Sequence, residues 1–86
     1  GAIKAIESKP FSDDKMSVAR LATKDKCMTN DQIGGIAKLF DWDEQRLEFV
    51  KEAYELATEK STYYQLDEVF KFMSSKDAFT KFLSAK

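Results

Sequence analysis

The chain of 86 residues contains no histidine. Histidine is the commonest general base near neutral pH and the commonest metal ligand in proteins. General-base catalysis and metal binding therefore both lack the residue that usually supports them. No serine or cysteine has a histidine beside it that could activate it as a nucleophile. The sequence therefore predicts a protein that is not an enzyme and that carries no metal ion and no cofactor.

Cysteine occurs once, at Cys27, which excludes an internal disulfide and a site built from several thiolates. We expect this thiol to be buried, because free cysteine is among the most buried residue types; the alternative is a redox-active or intermolecular thiol. No apolar run reaches the length of a membrane-spanning helix, so no membrane insertion is expected. Strand patterns and hairpin dipeptides are missing too, which leaves helices as the expected structure.

The chain has no large excess of charge of either sign. It contains 14 lysines and arginines and 15 aspartates and glutamates, and the sequence pI is near 5.4. Nucleic acid is therefore not an expected partner. Four lysines recur every five residues near the C-terminus, but each is rotated by about 140° from the last on a helix, which is typical of a solvated surface. These are Lys71, Lys76, Lys81 and Lys86.

Apolar residues make up 43% of the chain and include seven phenylalanines, enough for the core of one domain spanning residues 1–86. A four-residue segment that begins with phenylalanine occurs three times, at residues 11–14, 40–43 and 72–75. The segments are separated by about the length of one helical hairpin. The spacing predicts an all-α fold of about five short helices, stacked as antiparallel hairpins. The expected pseudo-repeats are 11–39, 40–71 and 72–86, after a preceding helix tail or linker at 1–10.

The first two helix boundaries follow from proline and capping residues. Pro10 ends any helix in residues 1–10, and Ser12 can cap a helix that runs to about Lys26, with Phe11 packing against Met16.

The next helix has the best-marked start, since residues 29–32 form a capping box. Its core stripe includes Ile33 and Phe40. Gly34 and Gly35 lie inside this stripe, where glycine disfavours a helix. They indicate either close packing by a neighbour, which we favour, or a locally soft helix that bends.

The third helix is expected to start at Asp41 or Asp43 and to run to Ala57. Its apolar face is wide enough to contact neighbours on two sides. A second capping box, at residues 62–65, predicts a fourth helix with a stripe that extends to Met73. The last helix is then expected to begin at Ser74 or Ser75.

Acidic residues near Asp41 and Asp43 raise the possibility of calcium binding, but the spacing of an EF-hand loop is missing, and capping of a helix is the favoured interpretation. Gly34-Gly35 lacks the lysine of a phosphate-binding loop. Two aromatic residues, Trp42 and Tyr64, lie beside the core stripes of their helices. Either they are anchors for a binding partner, or Trp42 covers the hairpin junction and Tyr64 contacts the neighbouring helix, and we favour the second interpretation.

Four segments, in the same order, resemble the family called domain of unknown function 4476: residues 25–33, 38–43, 46–54 and 63–77. The resemblance implies an all-helical module, usually terminal in bacterial proteins that often carry export signals, so a periplasmic or cell-surface location. It implies no activity and no catalytic or binding residues. The pair Gly34-Gly35 departs from the family pattern.

The sequence thus predicts a non-catalytic helical module for protein interaction or structure, because stacked hairpins offer broad faces for a protein partner. The alternative is a small regulatory or ligand-sensing domain of a larger exported protein, with an apolar pocket between helices. The identity of the partner and the oligomeric state do not follow from the sequence.

Overall fold

The structure, a computed structural model, describes the backbone from residue 12 and the side chains from residue 15, both up to residue 86. In this part the chain forms helices α1 (Ser12–Thr23), α2 (Asn30–Ala37), α3 (Asp43–Ala53) and α4 (Met73–Ser84), with 3-10 segments η1 (Tyr54–Leu56) and η2 (Lys60–Val69). No strand occurs among these residues. The expected all-α class is confirmed.

Two of the sequence predictions fall on the first eleven residues. These are the helix tail within residues 1–10 and the contact of Phe11 with Met16, and both lie outside the described residues.

Helix α1 ends at Thr23, three residues before the expected end at Lys26. The cause lies just beyond, where Asp25 has a φ of 59°, a left-handed conformation that cannot continue a right-handed helix. The helix buries Met16 and Ala19 against the rest of the protein.

The capping box at the start of α2 is confirmed. The Thr29 hydroxyl accepts a hydrogen bond from the Gln32 N–H at 3.2 Å, and the Gln32 side chain accepts one from the Thr29 N–H at 2.9 Å. Gly34 is buried, and a Cβ there would lie 3.1 Å from Cδ2 of Leu66, so close packing is confirmed at this position. Gly35 has no such neighbour, and α2 runs through both glycines.

Helix α3 is the central element, because it contacts α1, α2, η2 and α4. The predicted packing on two sides is therefore confirmed. The helix starts at Asp43, one of the two expected positions, and ends at Ala53, where the tighter turn of η1 follows. The predicted end at Ala57 is wrong, since Ala57 pairs with Met28 in an isolated parallel bridge between two loops.

The predicted capping box at residues 62–65 is wrong. Segment η2 already begins at Lys60 and is a 3-10 helix of ten residues, longer than such helices usually are. The Thr62 hydroxyl donates to the Glu59 carbonyl at 3.3 Å and accepts from the Asn30 amide at 3.0 Å. Thr62 thus ties η2 to α2 and caps no helix.

The start of α4 also differs from the prediction. Phe70 has extended backbone angles, φ −95° and ψ 140°, which interrupt the helical path between η2 and α4. The helical stripe therefore does not continue to Met73, which is 68% exposed, whereas Phe70 is buried. Helix α4 starts at Met73, before the predicted Ser74 or Ser75.

Five aromatic rings form a continuous chain through the core. Neighbouring ring centroids lie 5.1 to 5.9 Å apart, within the range of favourable aromatic pairs. Among these five rings, only Tyr63 is both fully buried and carries a hydroxyl group. This hydroxyl donates a hydrogen bond to the Val50 carbonyl at 2.6 Å. Burial therefore raises the pKa of Tyr63, with a smaller contribution from Tyr54. In order, the rings belong to Phe70, Phe79, Tyr63, Tyr54 and Phe82.

Candidate functional site

Both aromatic residues singled out from the sequence are exposed. Trp42 is 65% exposed and Tyr64 is 60% exposed, so Trp42 is not buried over the hairpin junction and Tyr64 is not buried against a neighbouring helix, as the favoured interpretation predicted. Trp42 directly precedes α3. Tyr64 lies within η2, six residues before Phe70, where the chain leaves η2 towards α4. No aromatic contact joins Tyr64 to Trp42 in the described part of the chain.

Asp43, the residue after Trp42, connects the start of α3 to the start of α4. Asp43 is 8% exposed, and its carboxylate accepts hydrogen bonds from the backbone N–H groups of Lys71 and Phe72, each at 2.9 Å. The carboxylate thus binds the chain where it enters α4, although it belongs to the first turn of α3. Trp42 and Phe72, which is 64% exposed, consequently belong to the same junction, each as the residue directly before a helix.

Burial and hydrogen bonding oppose each other at Asp43. Removal of the carboxylate from water raises its pKa, but the hydrogen bonds from Phe72, Lys71 and the Ser75 hydroxyl, with the charge of Arg46, outweigh this effect. The pKa of Asp43 is therefore lower than its usual value. Asp43 stays ionised and continues to bind the α4 entry at neutral pH.

Arg46 completes the junction one turn along α3. Its guanidinium donates to three backbone carbonyls, those of Phe40 at 2.8 Å, Val69 at 2.6 Å and Lys38 at 3.2 Å. The planar fork of arginine suits such a set of acceptors. We call the pair Asp43 and Arg46 the clasp, because together they join the loop before α3 to the loop before α4.

The clasp holds three large exposed apolar side chains, Trp42, Phe72 and Met73, which we call the aromatic surface. Each of them is between 64% and 68% exposed. The backbone that carries them is fixed by the clasp, so their exposure does not result from a loose loop. Such a group of exposed apolar side chains is typical of a binding site.

A separate groove lies between the end of α1 and helix α3. Its volume is about 340 Å³, at the lower end of the range for small-molecule sites. Leu21, Phe49, Ala53 and Leu56 supply the apolar lining, and charged side chains including Arg20 and Glu52 lie at its edge. Leu21 is 76% exposed, so the groove is open to solvent.

Comparison with protein families gives one match. The family described as Domain of unknown function (DUF4476) matches residues 2–83. The chain belongs to this family. Comparisons with curated proteins and with solved structures gave no match.

Within this family member, the clasp is the feature that sequence reasoning missed. Asp43 was expected to favour the start of its own helix, and it contacts the start of another helix 28 residues away. Arg46 was not singled out. The only available signal was an acidic and a basic residue three positions apart on one helix, which is equally typical of a solvated helix surface.

The remaining candidates carry no site chemistry. Cys27 is exposed, so the predicted burial of this thiol is wrong. It lies in the loop between α1 and the Thr29 cap, directly before Met28, which is the residue of this loop that is buried in the core. Among the side chains that the structure describes, residues 15–86, no group of acidic or cysteine residues could hold a metal ion, and no helix in the described part is long and apolar enough to cross a membrane.

The four lysines near the C-terminus do not form one surface. Lys71 and Lys81 are exposed to solvent. The ammonium of Lys86 lies 4.8 Å from the Phe82 ring centroid and 3.7 Å from the Glu55 carboxylate, as in a cation–π pair with a counter-ion.

Proposed function

We propose that this domain is a non-catalytic protein-interaction module and that the aromatic surface is its docking site. The observation that carries the proposal is the exposure of Trp42, Phe72 and Met73 on backbone that the buried Asp43 carboxylate holds in place. Partners bind most tightly through a few aromatic anchors on pre-organised backbone, because little side-chain freedom is then lost on binding.

Tyr64 belongs to the proposal as a second anchor of the same type. Its ring is exposed, and tyrosine is enriched among residues that contribute most to binding energy. It lies on η2, away from the clasp, so its contribution is separable from that of Trp42. A partner that contacts both must follow η2 towards α4.

The experiment compares capture of proteins from the native extract by immobilised variants. We expect Trp42→Ala with Phe72→Ala to weaken capture about thirtyfold or more, since an aromatic anchor contributes about 2 kcal/mol or more. The pair Trp42→Ala with Tyr64→Ala tests the second anchor. Leu21→Ala is the control, because Leu21 is also an exposed apolar side chain but lies on α1, in the groove and outside the aromatic surface.

Thermal unfolding of each variant separates binding from folding. Exposed side chains change stability by no more than about 0.5 kcal/mol, so all variants should unfold within a few degrees of the wild type. Equal capture by the Trp42 and Phe72 double variant and by Leu21→Ala would contradict the proposal. Strong destabilisation by Trp42→Ala would assign this side chain to the fold.

The second candidate is a ligand-sensing domain, which the groove between α1 and α3 favours. Its apolar lining and its volume of about 340 Å³ fit an apolar molecule of few atoms. Titration with hexanol should shift the amide resonances of Phe49 and Ala53 while those of Trp42 and Phe72 stay unchanged. A uniform small shift across the whole chain would argue against a specific site.

A further inference from the structure

We infer that the aromatic surface binds a second copy of the same chain, in a weak two-fold dimer. The inference rests on the proposed function, since it names the partner of that docking site. It starts from a relation between the two turns that the clasp joins. Phe40-Asp41-Trp42 and Phe70-Lys71-Phe72 lie 30 positions apart, and their first members, Phe40 and Phe70, are both buried.

The two turns also share their backbone conformation. Trp42 has φ −116° and ψ 143°, and Phe72 has φ −106° and ψ 143°; each is the residue that precedes a helix, and neither uses its side chain as a cap. The surface therefore presents two aromatic side chains from the same extended backbone conformation, each directly before a helix. A surface of this kind suits a two-fold axis, because each half can face the other half of the partner copy.

The charges of the two halves are opposite. Asp41 and Glu44 lie near Trp42, where the one basic residue of the same helix turn, Arg46, is bonded to three backbone carbonyls; Lys71 and Lys76 lie near Phe72, with Asp77 one residue further along α4. The first turn of α4 has no acidic residue of its own, and the Asp43 carboxylate binds the N–H groups at its start, so Lys71 and Lys76 supply the positive charge of this half. Two copies related by a two-fold axis would place each acidic half against a basic half.

The middle positions of the turns show this opposition directly, since Asp41 corresponds to Lys71. Asp41 is 73% exposed at its side chain, and its ion pair with Lys15 measures 4.0 Å, the longest in the described part of the chain. Lys71 forms no ion pair with the side chains of residues 15–86. Both charges are thus available to a second copy.

The area of the surface predicts the strength of the dimer. A fully covered aromatic side chain buries about 150–250 Å², so three side chains that are two-thirds exposed offer roughly 300–500 Å² per copy. Stable interfaces bury about 800 Å² per partner. The dimer is therefore weak and forms at high protein concentration, or when another part of a longer chain brings two copies together.

The test uses charge reversal and sedimentation velocity at concentrations up to the millimolar range. Asp41→Lys and Lys71→Asp each place like charges opposite each other at two symmetric positions, so each should weaken self-association about tenfold. An equimolar mixture of the two variants restores opposite charges at both positions and should associate as the wild type does. The double variant Asp41→Lys with Lys71→Asp should do the same.

Lys24→Asp is the matched control, because it makes the same charge change at an exposed position beyond the end of α1 and should leave association unchanged. Circular dichroism of every variant checks that the fold is retained. Trp42 is the only tryptophan in the chain, so its emission should shift to shorter wavelength as wild-type protein is concentrated and its ring leaves water.

Two results would overturn the inference: single variants that associate as the wild type does, or a mixture that stays monomeric. A monomeric wild type at millimolar concentration would overturn it as well. If capture from the extract still depends on Trp42 and Phe72 in that case, the proposed docking site stands with a different protein as its partner. If capture does not depend on them, the proposed function fails separately.

Discussion

Helices α1 and α3 are attached to the protein by different kinds of contact. Helix α1 packs mainly on α3, and its charged side chain Arg20 bonds to the exposed Glu48 at 2.9 Å and Glu52 at 3.1 Å, while Lys15 donates to one backbone carbonyl, that of Leu39, at 3.1 Å. Helix α3 contacts α1, α2, η2 and α4, and its clasp residues bind backbone groups of two loops.

This difference separates polar contacts that matter for stability from those that do not. When a surface ion pair breaks, both partners return to water at little cost. When a clasp contact breaks, partly buried carbonyl or N–H groups lose a partner that water does not easily replace. The hydrogen bonds of Arg20 and those of Arg46 are similar in number, but we expect their contributions to the free energy of unfolding to differ several-fold. The proposed docking surface lies on the strongly attached side.

The largest effect is expected in the core beside the clasp. Phe40→Ala should lower the free energy of unfolding by about 3–5 kcal/mol, because Phe40 is fully buried and packs against Phe49. Leu47→Ala should lower the free energy of unfolding by less, about 2 kcal/mol, because Leu47 is only partly buried. Urea denaturation with an unchanged m-value measures both. Equal losses would contradict the packing described for α3.

The second effect tests Arg46 directly. Arg46→Ala should cost roughly 2–3 kcal/mol in urea denaturation, because three backbone carbonyls lose a charged donor. Arg46→Lys should recover part of the loss, since an ammonium cannot serve three acceptors in one plane. If lysine restored full stability, the charge of Arg46 and not its geometry would hold the junction.

The third effect concerns Asp43 and pH. Its pKa in the folded protein lies below the ordinary value of 3.8, so its contribution to stability is present above that value and is lost as pH falls through the folded pKa. Asp43→Asn should lower stability at neutral pH by about 1–2 kcal/mol. The stability of that variant should then fall less steeply in acid than that of the wild type.

Asp41→Asn provides the control for this titration, because Asp41 is exposed and accepts no backbone hydrogen bond in the described residues. Its stability should follow the wild-type curve in acid. Trp42 fluorescence, followed over the same pH range, reports on the turn next to Asp43. A wild-type acid transition that persisted in Asp43→Asn would have to come from another group.

These contacts show which parts of the structure were predictable. The cap of α2 was predicted because Thr29 and Gln32 are three residues apart, and the family was recognised from segments of local sequence. The clasp was not predictable, since Asp43 and Phe72 are 29 residues apart and nothing in either segment indicates the other. Met73 was misplaced for a related reason: the apolar stripe of η2 is unbroken in the sequence, although Phe70 has an extended backbone.

The smallest effect is expected for α1 and completes the comparison. Arg20→Ala should cost only about 0.2–1 kcal/mol, because Arg20, Glu48 and Glu52 are all about half exposed and water screens their charges. The cost should vanish in about 1 M salt, where the screening length falls to about 3 Å. The cost of Arg46→Ala should persist there, since its acceptors are carbonyls in a partly buried loop. A salt-resistant loss for Arg20→Ala of the same size as for Arg46→Ala would show that α1 is attached as firmly as α3, and the contrast between the two helices would be wrong.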